Sequence, residues 1–198
     1  MKKFLFARHG QSVGNAQGLL QGDADYPLTS LGMKDAEKLA NRIMKTEHGI
    51  TKIISSDLKR CVETATVVAG ILNLPVETSV LLREVSFGSL QDQKITDIQQ
   101  IVGSEDINKW LMFASDAEPK ISIKYRIKKT LENLEGGELL ISHGIFGAYL
   151  VQEITGSNNP DFDLFRTNQG EFLSFYLPQK TSNSNLTTLD STQEKATQ

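Results

Sequence analysis

Cysteine is nearly absent from the 198-residue chain, which contains Cys61 and no other thiol. A single cysteine cannot form an intrachain disulfide, and this fits a reducing compartment. Histidine is also scarce, and His9, His48 and His143 lack the sequence spacing of a metal site. We therefore expect neither a disulfide framework nor a bound metal.

Long apolar runs are missing as well. The run Phe4–Ala7 stops after four residues, whereas the apolar part of a secretory signal needs about 7 to 15. Elsewhere no segment approaches the roughly 18 apolar residues of a membrane span. We expect a soluble, cytoplasmic protein with no membrane partner.

Neither sign of charge dominates the chain, which has a net charge of -3 at pH 7 and an isoelectric point near 5.7. Without an overall basic surface, nucleic acid is not an expected partner, and any anion must be bound locally. The sequence also has no Gly-x-x-x-x-Gly-Lys loop and no Gly-x-Gly-x-x-Gly fingerprint. A nucleotide-dependent mechanism is therefore unsupported and no cofactor is expected. The oligomeric state is left open.

Short apolar segments alternate along the chain with segments of helical periodicity. This alternation predicts an α/β fold with a mostly parallel central sheet and helices on both faces, in three layers. We place one domain at residues 1–178, a typical domain size. Within it, residues 90–124 are less regular and are interpreted as an excursion over the carboxyl edge of the sheet. The polar residues 179–198 are expected to form a disordered tail.

Two apolar strands end in the same way. Phe4–Ala7 is followed by Arg8-His9-Gly10, and Glu138–Ser142 is followed by His143-Gly144. A lone histidine after a strand is more often a loop residue with ordinary hydrogen bonds than a catalytic one. Two such strand ends in one sheet would bring two imidazoles to one cleft, because ligands bind beyond the carboxyl ends of parallel strands.

The motif around the first histidine resembles the Arg-His-Gly signature of the histidine phosphatase superfamily, the group that includes the cofactor-dependent phosphoglycerate mutases. Further matches follow in the order typical of that family. They are Arg8-His9-Gly10-Gln11-Ser12 with Asn15, Pro27-Leu28-Thr29 with Gly32, Ser55 to Arg60 with Thr64-Ala65, Glu84 with Gly88, and Ser142-His143-Gly144. The matches span residues 3–177. The resemblance implies a fold like that of phosphoglycerate mutase.

The resemblance also implies which residues handle the phosphoryl group. His9 would be the nucleophile that becomes a phosphohistidine, while Arg8, Arg60 and His143 would hold the three non-bridging oxygens. Asn15 matches a position that is often near the phosphate.

Gly144 directly follows His143 and is assigned to the same binding site. Glu84 matches the family position of the acid that protonates the leaving oxygen and then activates water. Its alternative interpretation is an ordinary loop carboxylate. No step of this scheme requires a metal.

Arg60 follows a strand predicted at residues 50–55, in the first turn of a helix that Ser56 or Asp57 is expected to cap. A cation near a helix N-terminus opposes the helix dipole, so helix stability does not explain its position. The alternative is a solvated surface arginine. Its place at a strand end, together with the resemblance, favours phosphate binding.

Residues that differ between branches of the family favour hydrolysis of a small phosphorylated metabolite. Gly14 occupies a position where mutases usually have tryptophan, and Val85 and Ser86 occupy positions where they usually have arginine and tyrosine. The segment between Glu84 and His143 is also shorter than in typical mutases. One feature favours the mutase branch instead. Residues 88–91 resemble a segment typical of mutases, although Asp92 follows where glycine is usual. The alternatives are mutase-type phosphotransfer and, less favoured, a non-catalytic phosphoester-binding module.

The substrate is not predicted. Several side chains of the excursion and its flank could line a pocket for the leaving group, namely Phe87, Lys94, Lys109, Trp110 and Phe113. Aromatic residues in an apolar pattern more often belong to the core, and lysines are more often solvated. We assign none of them to the site.

Overall fold

The computed structural model describes residues 1–46, 49–162 and 169–178. A five-stranded sheet in the order β3-β2-β4-β1-β5 forms its centre. Every neighbouring pair is parallel except β1 with β5. The strands are β1 (Lys2–Arg8), β2 (Lys52–Ser55), β3 (Val76–Thr78), β4 (Glu138–Ser142) and β5 (Phe172–Leu177). The predicted mostly parallel α/β sheet is confirmed. His48, residues 163–168 and the predicted tail 179–198 lie outside the described residues.

Helices cover both faces of the sheet, as predicted. They are α1 (Val13–Ala16), α2 (Ser30–Met44), α3 (Lys59–Leu72), α4 (Ile95–Val102), α5 (Ile107–Phe113), α6 (Lys120–Asn133) and α7 (Gly144–Thr155). Short 3₁₀ turns at Val80–Leu82 and Gly88–Leu90 lie between β3 and α4. None of the helices in the described parts of the chain is both long and apolar enough to cross a membrane.

Strand β1 contributes to both hydrophobic cores, because alternate side chains of a strand point to opposite faces of the sheet. Phe4 and Phe6 belong to a core that includes residues of α5, α6 and α7. Leu5 and Ala7 belong to a second core with residues of α2 and α3. All four are fully buried. This explains why the segment before Arg8 is a continuous apolar run rather than an alternating one.

The predicted cap of α3 is wrong. Leu58 is the N-cap residue and makes no side-chain cap hydrogen bond. Ser56 Oγ instead lies 2.9 Å from His143 Nε2, and Asp57 pairs with Arg83 at 2.6 Å. Both side chains are used in contacts with residues distant in sequence, which local capping patterns do not reveal.

The segment 11–26, interpreted from sequence as a loop, contains the short helix α1. Ser12 and Asn15 form a capping box at its start, in which each side chain accepts a hydrogen bond from the backbone N–H of the other residue. The loop that follows passes over the carboxyl edge of the sheet and is fixed there by Arg60, described below.

Candidate active site

The register of β1 on β4 places two histidines side by side. Arg8 pairs with Ser142 at the ends of these parallel strands, so His9 and His143 are the next residues on neighbouring strands. The backbone N–H of His9 donates to the Ser142 carbonyl at 3.0 Å. The centroids of the two imidazole rings are 5.2 Å apart. The structure therefore brings together the two strand ends that the sequence singles out.

The His9 imidazole is held in one tautomer. Its Nδ1 lies 2.7 Å from the Gly10 carbonyl oxygen. Because a carbonyl oxygen only accepts, Nδ1 carries the proton and Nε2 keeps its lone pair. Burial lowers the pKa of His9 well below its ordinary value, and the positive charges of Arg60 and Arg8 lower it further. The ring is therefore neutral at pH 7, the form that a nitrogen nucleophile needs.

Gly10 turns the chain sharply after His9 because another backbone segment lies against it. A Cβ at position 10 would lie 2.2 Å from the carbonyl oxygen of Gly32, at the start of α2. No side chain fits in that space without moving backbone. Helix α2 therefore begins in direct contact with the loop that carries the histidine.

Arg60 is fully buried at the start of α3 and donates from all three of its nitrogens. Nε donates to His143 Nδ1 at 3.2 Å, Nη1 to the Ala24 carbonyl at 2.6 Å, and Nη2 to the Gly22 carbonyl at 2.7 Å. Each η nitrogen has a second N–H that can donate to a ligand. Burial lowers the pKa of Arg60, but a guanidinium remains charged at neutral pH.

Both ring nitrogens of His143 contact other protein groups. Nδ1 accepts from Arg60, so Nε2 carries the proton and donates to Ser56 Oγ at 2.9 Å. The Cys61 Sγ atom lies 3.4 Å from the same Nε2. Burial and the Arg60 charge lower the pKa of His143 well below its ordinary value, so this ring is neutral too. To contact a phosphoryl oxygen, His143 must release one of these partners. In the arrangement described, it orients Arg60.

Glu84 is held at the N-terminus of α7. Its Oε1 accepts from the backbone N–H groups of Val85 at 2.9 Å and Phe146 at 2.8 Å, and Oε2 accepts from Ile145 at 3.1 Å. An anion is favoured at this end of a helix by the dipole and by the N–H groups that lack helical partners. Each carboxylate oxygen has two lone pairs, so Oε2 can still bind a substrate or water.

Asn15 and Gly144 both line the same cavity as His9. The Asn15 Oδ1 atom accepts from the backbone N–H of Ser12 at 3.1 Å, within the α1 capping box. With its oxygen used there, the amide nitrogen is the end of Asn15 that can donate to a ligand. Gly144 is the first residue of α7, where backbone N–H groups have no partner within the helix.

Gln21 lines the cavity and was missed by the sequence reasoning. Its Oε1 lies 2.7 Å from Ser12 Oγ, and the side chain is buried against α1. A Cβ at Gly14 would lie 2.6 Å from Gln21 Cδ. The sequence offered a signal in Gly14, because a glycine inside a helix often leaves room for another group.

The loop containing Gln21 is fixed to the segment before α4. The backbone N–H of Leu20 donates to the Gln93 carbonyl at 3.0 Å, and the backbone N–H of Asp92 donates to the Leu20 carbonyl at 2.9 Å. Asp92, the residue after 88–91, has a left-handed backbone angle φ of 62°, which glycine adopts readily. Its carboxylate accepts a hydrogen bond from Tyr26 Oη at 2.7 Å. The replacement of glycine therefore preserves the turn.

These residues enclose a cavity of about 120 Å³. Its polar lining consists of the side chains of His9, Arg8, Arg60, Asn15, Gln21 and Glu84. The lining also includes apolar side chains from several elements, namely Leu19, Leu20, Ile95, Ile107, Trp110, Ile145 and Phe162. Residues of the predicted excursion, at the starts of α4 and α5, thus form part of the cavity wall. Among the described residues, no group of three or more His, Cys, Asp or Glu side chains is placed to hold a metal ion.

Of the aromatic residues left unassigned from sequence, Trp110 alone is in this lining. Its side chain is fully buried, and the indole Nε1 donates to the Ser104 carbonyl at 2.7 Å. Phe87 is buried in the core and Phe113 is exposed on α5. Trp110 is therefore both a core residue and a wall of the cavity.

Comparison with known proteins agrees with this geometry. A family model described as the histidine phosphatase superfamily (branch 1) matches residues 4–182. A relative named probable phosphoglycerate mutase GpmB, from Yersinia enterocolitica, is 32% identical over 165 residues, which cover 79% of this chain and 76% of the relative.

Solved structures show the same fold. YhfR of Bacillus stearothermophilus superposes with a TM-score of 0.73 at 21% identity, covering 90% of this chain and 92% of that one. A putative alpha-ribazole-5'-P phosphatase of Escherichia coli superposes with a TM-score of 0.70 at 23% identity, covering 87% and 89%.

Proposed function

Because the chain belongs to the histidine phosphatase superfamily, branch 1, we propose that it hydrolyses phosphomonoesters of small molecules through a phosphohistidine formed on His9. The observation that carries this proposal is the state of His9. Its ring is neutral, its Nδ1 is held by the Gly10 carbonyl, and Nε2 keeps a lone pair in a cavity that two arginines also line.

In the first step, His9 Nε2 attacks phosphorus, the N–P bond forms and the ester P–O bond breaks. Arg8 and Arg60 hold the non-bridging oxygens, because guanidinium groups form strong charge-assisted hydrogen bonds with phosphate. Glu84, protonated, gives its proton to the leaving oxygen, and the alcohol departs. His143 keeps Arg60 in position through its Nδ1 and contacts the phosphoryl group itself if it releases Ser56 or Arg60.

In the second step, water attacks the phosphohistidine. Glu84, now a carboxylate, takes a proton from that water while the new P–O bond forms and the N–P bond breaks. Inorganic phosphate leaves, His9 is again neutral, and Glu84 again carries the proton that it started with. Asn15 and the backbone of Gly144 contribute donors at the phosphate end. Every group in the cycle belongs to this chain, so the proposal includes independence from added metal.

Phosphotransfer of the mutase type is the second candidate, and the name of the Yersinia relative favours it. Two features of the site favour hydrolysis. The first is Gly14, at the position where mutases usually have tryptophan. A bulky side chain there would require Gln21 to leave the cavity wall, because even a Cβ would lie 2.6 Å from Gln21 Cδ. Val85, the residue after Glu84, is fully buried in the core and is absent from the cavity lining. It offers no group to hold a second phosphorylated substrate.

The proposal is tested by trapping the phosphoenzyme. Wild-type protein mixed with a ³²P-labelled monoester and quenched in alkali should retain acid-labile label, whereas His9→Ala should retain none and lose nearly all turnover. A His48→Ala control should keep the label, since that histidine belongs to neither motif. Label on any residue other than His9 contradicts the assignment. Failure of the wild type to turn over an aryl phosphate would support the binding-module alternative.

Two further measurements address the finer parts of the proposal. Turnover should survive treatment with a chelator such as EDTA, and loss of activity that is restored by a metal contradicts metal independence. On its best substrate, the enzyme should release inorganic phosphate faster than it isomerises 3-phosphoglycerate. The reverse order would assign it to the mutase branch while leaving the His9 chemistry intact.

A further inference from the structure

Apart from the groups assigned to phosphoryl transfer, most side chains that line the cavity are apolar. These apolar side chains come from the loop after α1, from the starts of α4, α5 and α7, and from the segment after α7. They are Leu19, Leu20, Ile95, Ile107, Trp110, Ile145 and Phe162. Among the described residues, the charged side chains of the lining are Arg8, Arg60 and Glu84, and all three have tasks in the phosphoryl-transfer scheme. The uncharged polar lining is limited to Asn15 and Gln21, besides His9.

The indole nitrogen is the one polar atom of the Trp110 side chain, and it already has a hydrogen-bond partner. Trp110 Nε1 donates to the Ser104 carbonyl at 2.7 Å, and an indole has no other donor. Trp110 therefore offers an incoming ligand apolar contact and no hydrogen bond. Ile95 and Ile107, the first residues of α4 and α5, add further apolar surface on the same wall.

A second anionic group on the substrate would be placed unfavourably here. The two guanidinium groups are occupied by the phosphoryl oxygens, and Glu84, the acid of the first step, offers no positive charge. Among the described residues of the lining, a carboxylate on the substrate finds no further cation, and its transfer from water to apolar surroundings without a partner is costly. An alkyl or aryl group in the same place loses contact with water and is stabilised by that burial.

The size of the cavity limits the leaving group. Its volume of about 120 Å³ is of the same order as the engineered protein cavity of about 150 Å³ that binds benzene. A phosphoryl group with a short alkyl chain fits this space. A single aromatic ring fits if it extends toward the cavity mouth.

We propose that the substrates are phosphomonoesters whose phosphoryl group is their only anionic group, with a short alkyl or single-ring aryl leaving group. This inference rests on the proposed phosphatase function and narrows its substrate class. Phosphorylated hydroxy acids and amino acids, which carry a carboxylate, are disfavoured substrates. The residues that set this preference are Ile95, Ile107 and Trp110.

A series of primary alkyl phosphates tests the preference, because the leaving oxygen is comparable throughout. Butyl phosphate, glycerol 3-phosphate and 3-phosphoglycerate add hydroxyls and then a carboxylate. We expect kcat/KM to fall along the series and to be at least about tenfold higher for butyl phosphate than for 3-phosphoglycerate, given the cost of an unpaired polar group in an apolar site. Equal or higher values for 3-phosphoglycerate overturn the inference.

A charge introduced into the wall provides the second test. Ile95 is half-buried and lines the cavity, so Ile95→Arg adds a cation to the apolar part of the lining. The ratio of kcat/KM for butyl phosphate to that for 3-phosphoglycerate should fall by at least about tenfold. The matched control is Ile101→Arg, the same change on the same helix at a side chain that is 58% exposed and outside the cavity lining. There the ratio should stay within about twofold, since an exposed charge is screened. Equal effects of both variants contradict the role of Ile95.

The two levels of proposal fail in different ways. If wild-type protein forms a phosphohistidine on His9 and turns over 3-phosphoglycerate best, the substrate inference is wrong and the proposed function stands. If no monoester is turned over and no label is trapped, the proposed function itself is wrong. The wild-type substrate series remains decisive even if Ile95→Arg lowers the melting temperature.

Discussion

At the scale of the residue, burial sets the ionisation of the groups in the cavity. His9 is 2% exposed and His143 is fully buried, and the guanidinium of Arg60 lies beside both rings. Low dielectric and neighbouring positive charge both disfavour an imidazolium, so the two effects act in the same direction. The histidines are therefore neutral at a pH where exposed histidines are largely protonated.

This yields the first prediction. In a ¹⁵N NMR titration, the ring nitrogens of His9 and His143 should show the shifts of neutral imidazole at pH 6, about half a unit below the ordinary histidine pKa of about 6.5. His9 should be the Nδ1–H tautomer and His143 the Nε2–H tautomer, as the Gly10 carbonyl and the Arg60 Nε–H require. A titration midpoint at or above 6.5 for His9 would mean that the cavity is wetter or less positive than the structure indicates.

The second prediction concerns Glu84. The change Glu84→Gln removes the transferable proton, so turnover of alkyl phosphates should fall by roughly 10²- to 10⁴-fold. The fall should be smaller for aryl phosphates, because a phenolate leaves with less help from an acid. Dephosphorylation of His9 should also slow, since the amide that replaces the carboxylate cannot take a proton from water. A defect of equal size on both substrate classes would contradict the acid role.

The same change has a structural cost that must be measured separately. Both oxygens of Glu84 accept backbone N–H groups of α7, so an amide NH₂ at this position would face the N–H of Ile145 or Phe146. An unsatisfied buried donor costs about 1 to 3 kcal/mol in folding free energy. Denaturant unfolding gives that loss directly. The ratio of the alkyl to the aryl defect reports the chemistry, because a purely structural defect lowers both rates alike.

Glu84 and Asn15 were predicted for the site from the family resemblance alone, whereas other predicted residues also end strands or begin helices. Arg8, His9, Arg60 and His143 occupy such positions, and the parallel register brings them together. Gln21 and Ser56 were not predicted, because they reach the site through hydrogen bonds to Ser12 and His143 rather than through a local pattern. Side-chain contacts between residues far apart in sequence leave no periodic signal.

At the scale of the element, α6 holds the segment that carries Glu84. The Arg126 guanidinium donates to the Leu81 and Arg83 carbonyls at 2.9 and 2.8 Å and pairs with Glu118 at 2.7 Å. It also lies 5.2 Å from the ring centroid of Phe146, whose backbone N–H holds Glu84. A helix outside the cavity lining thus fixes the backbone before Glu84 and the helix turn after it.

The third prediction follows from the ion pair of Arg126 with Glu118. Burial raises the pKa of Glu118, but hydrogen bonds from Arg126 and Ser122 outweigh it and the net shift is downward. The folded state therefore binds a proton less readily than the unfolded one. This stabilisation is present above the ordinary glutamate pKa of about 4.3 and is lost as pH falls through the lower folded value. Glu118→Gln should cost about 1 to 3 kcal/mol at pH 7, because Arg126 loses its carboxylate partner and keeps only the Leu81 and Arg83 carbonyls, and less at pH 3.

A matched control for that measurement lies on α6, the helix of Arg126. Glu132 pairs with Lys129 at 2.9 Å, but these side chains are 30% and 43% exposed. Glu132→Gln should change the free energy of unfolding by less than about 1 kcal/mol, as is usual for exposed ion pairs. Urea unfolding of both variants at pH 7 and pH 3 makes the comparison. A Glu118→Gln cost that does not depend on pH would contradict the lowered pKa.

Element types were more predictable than their ends. The long amphipathic helices and the buried strands could be predicted from the spacing of their hydrophobic residues, because those residues pack in the core. The start of α3 was misplaced because Ser56 and Asp57, good capping residues, make distant contacts instead. Helix α1 was missed because a helix of four residues has too few turns to show a period.

At the scale of the whole molecule, two cores lie on opposite faces of one sheet, and both include residues of β1. The fourth prediction concerns residues 179–198, which are rich in Ser, Thr, Asn and Gln. A chain ending at Pro178 should keep its turnover, and its melting temperature should stay within about 2 °C, because such a composition buries little apolar surface. Circular dichroism melting and phosphatase assays of both chains test this. A larger drop would show that the segment packs on the domain.

The position of β1 in the sheet has a consequence for biosynthesis. The strand is made first, yet its two neighbours, β4 and β5, begin at residues 138 and 172. At about 5 to 20 residues per second, the ribosome takes on the order of ten seconds to supply them. During that interval the apolar segment Phe4–Ala7 has no strand to pair with, so the nascent chain exposes it to chaperones and to other chains. The pairing of β1, the strand before His9, with both neighbouring strands is completed only when nearly all of the domain has been translated.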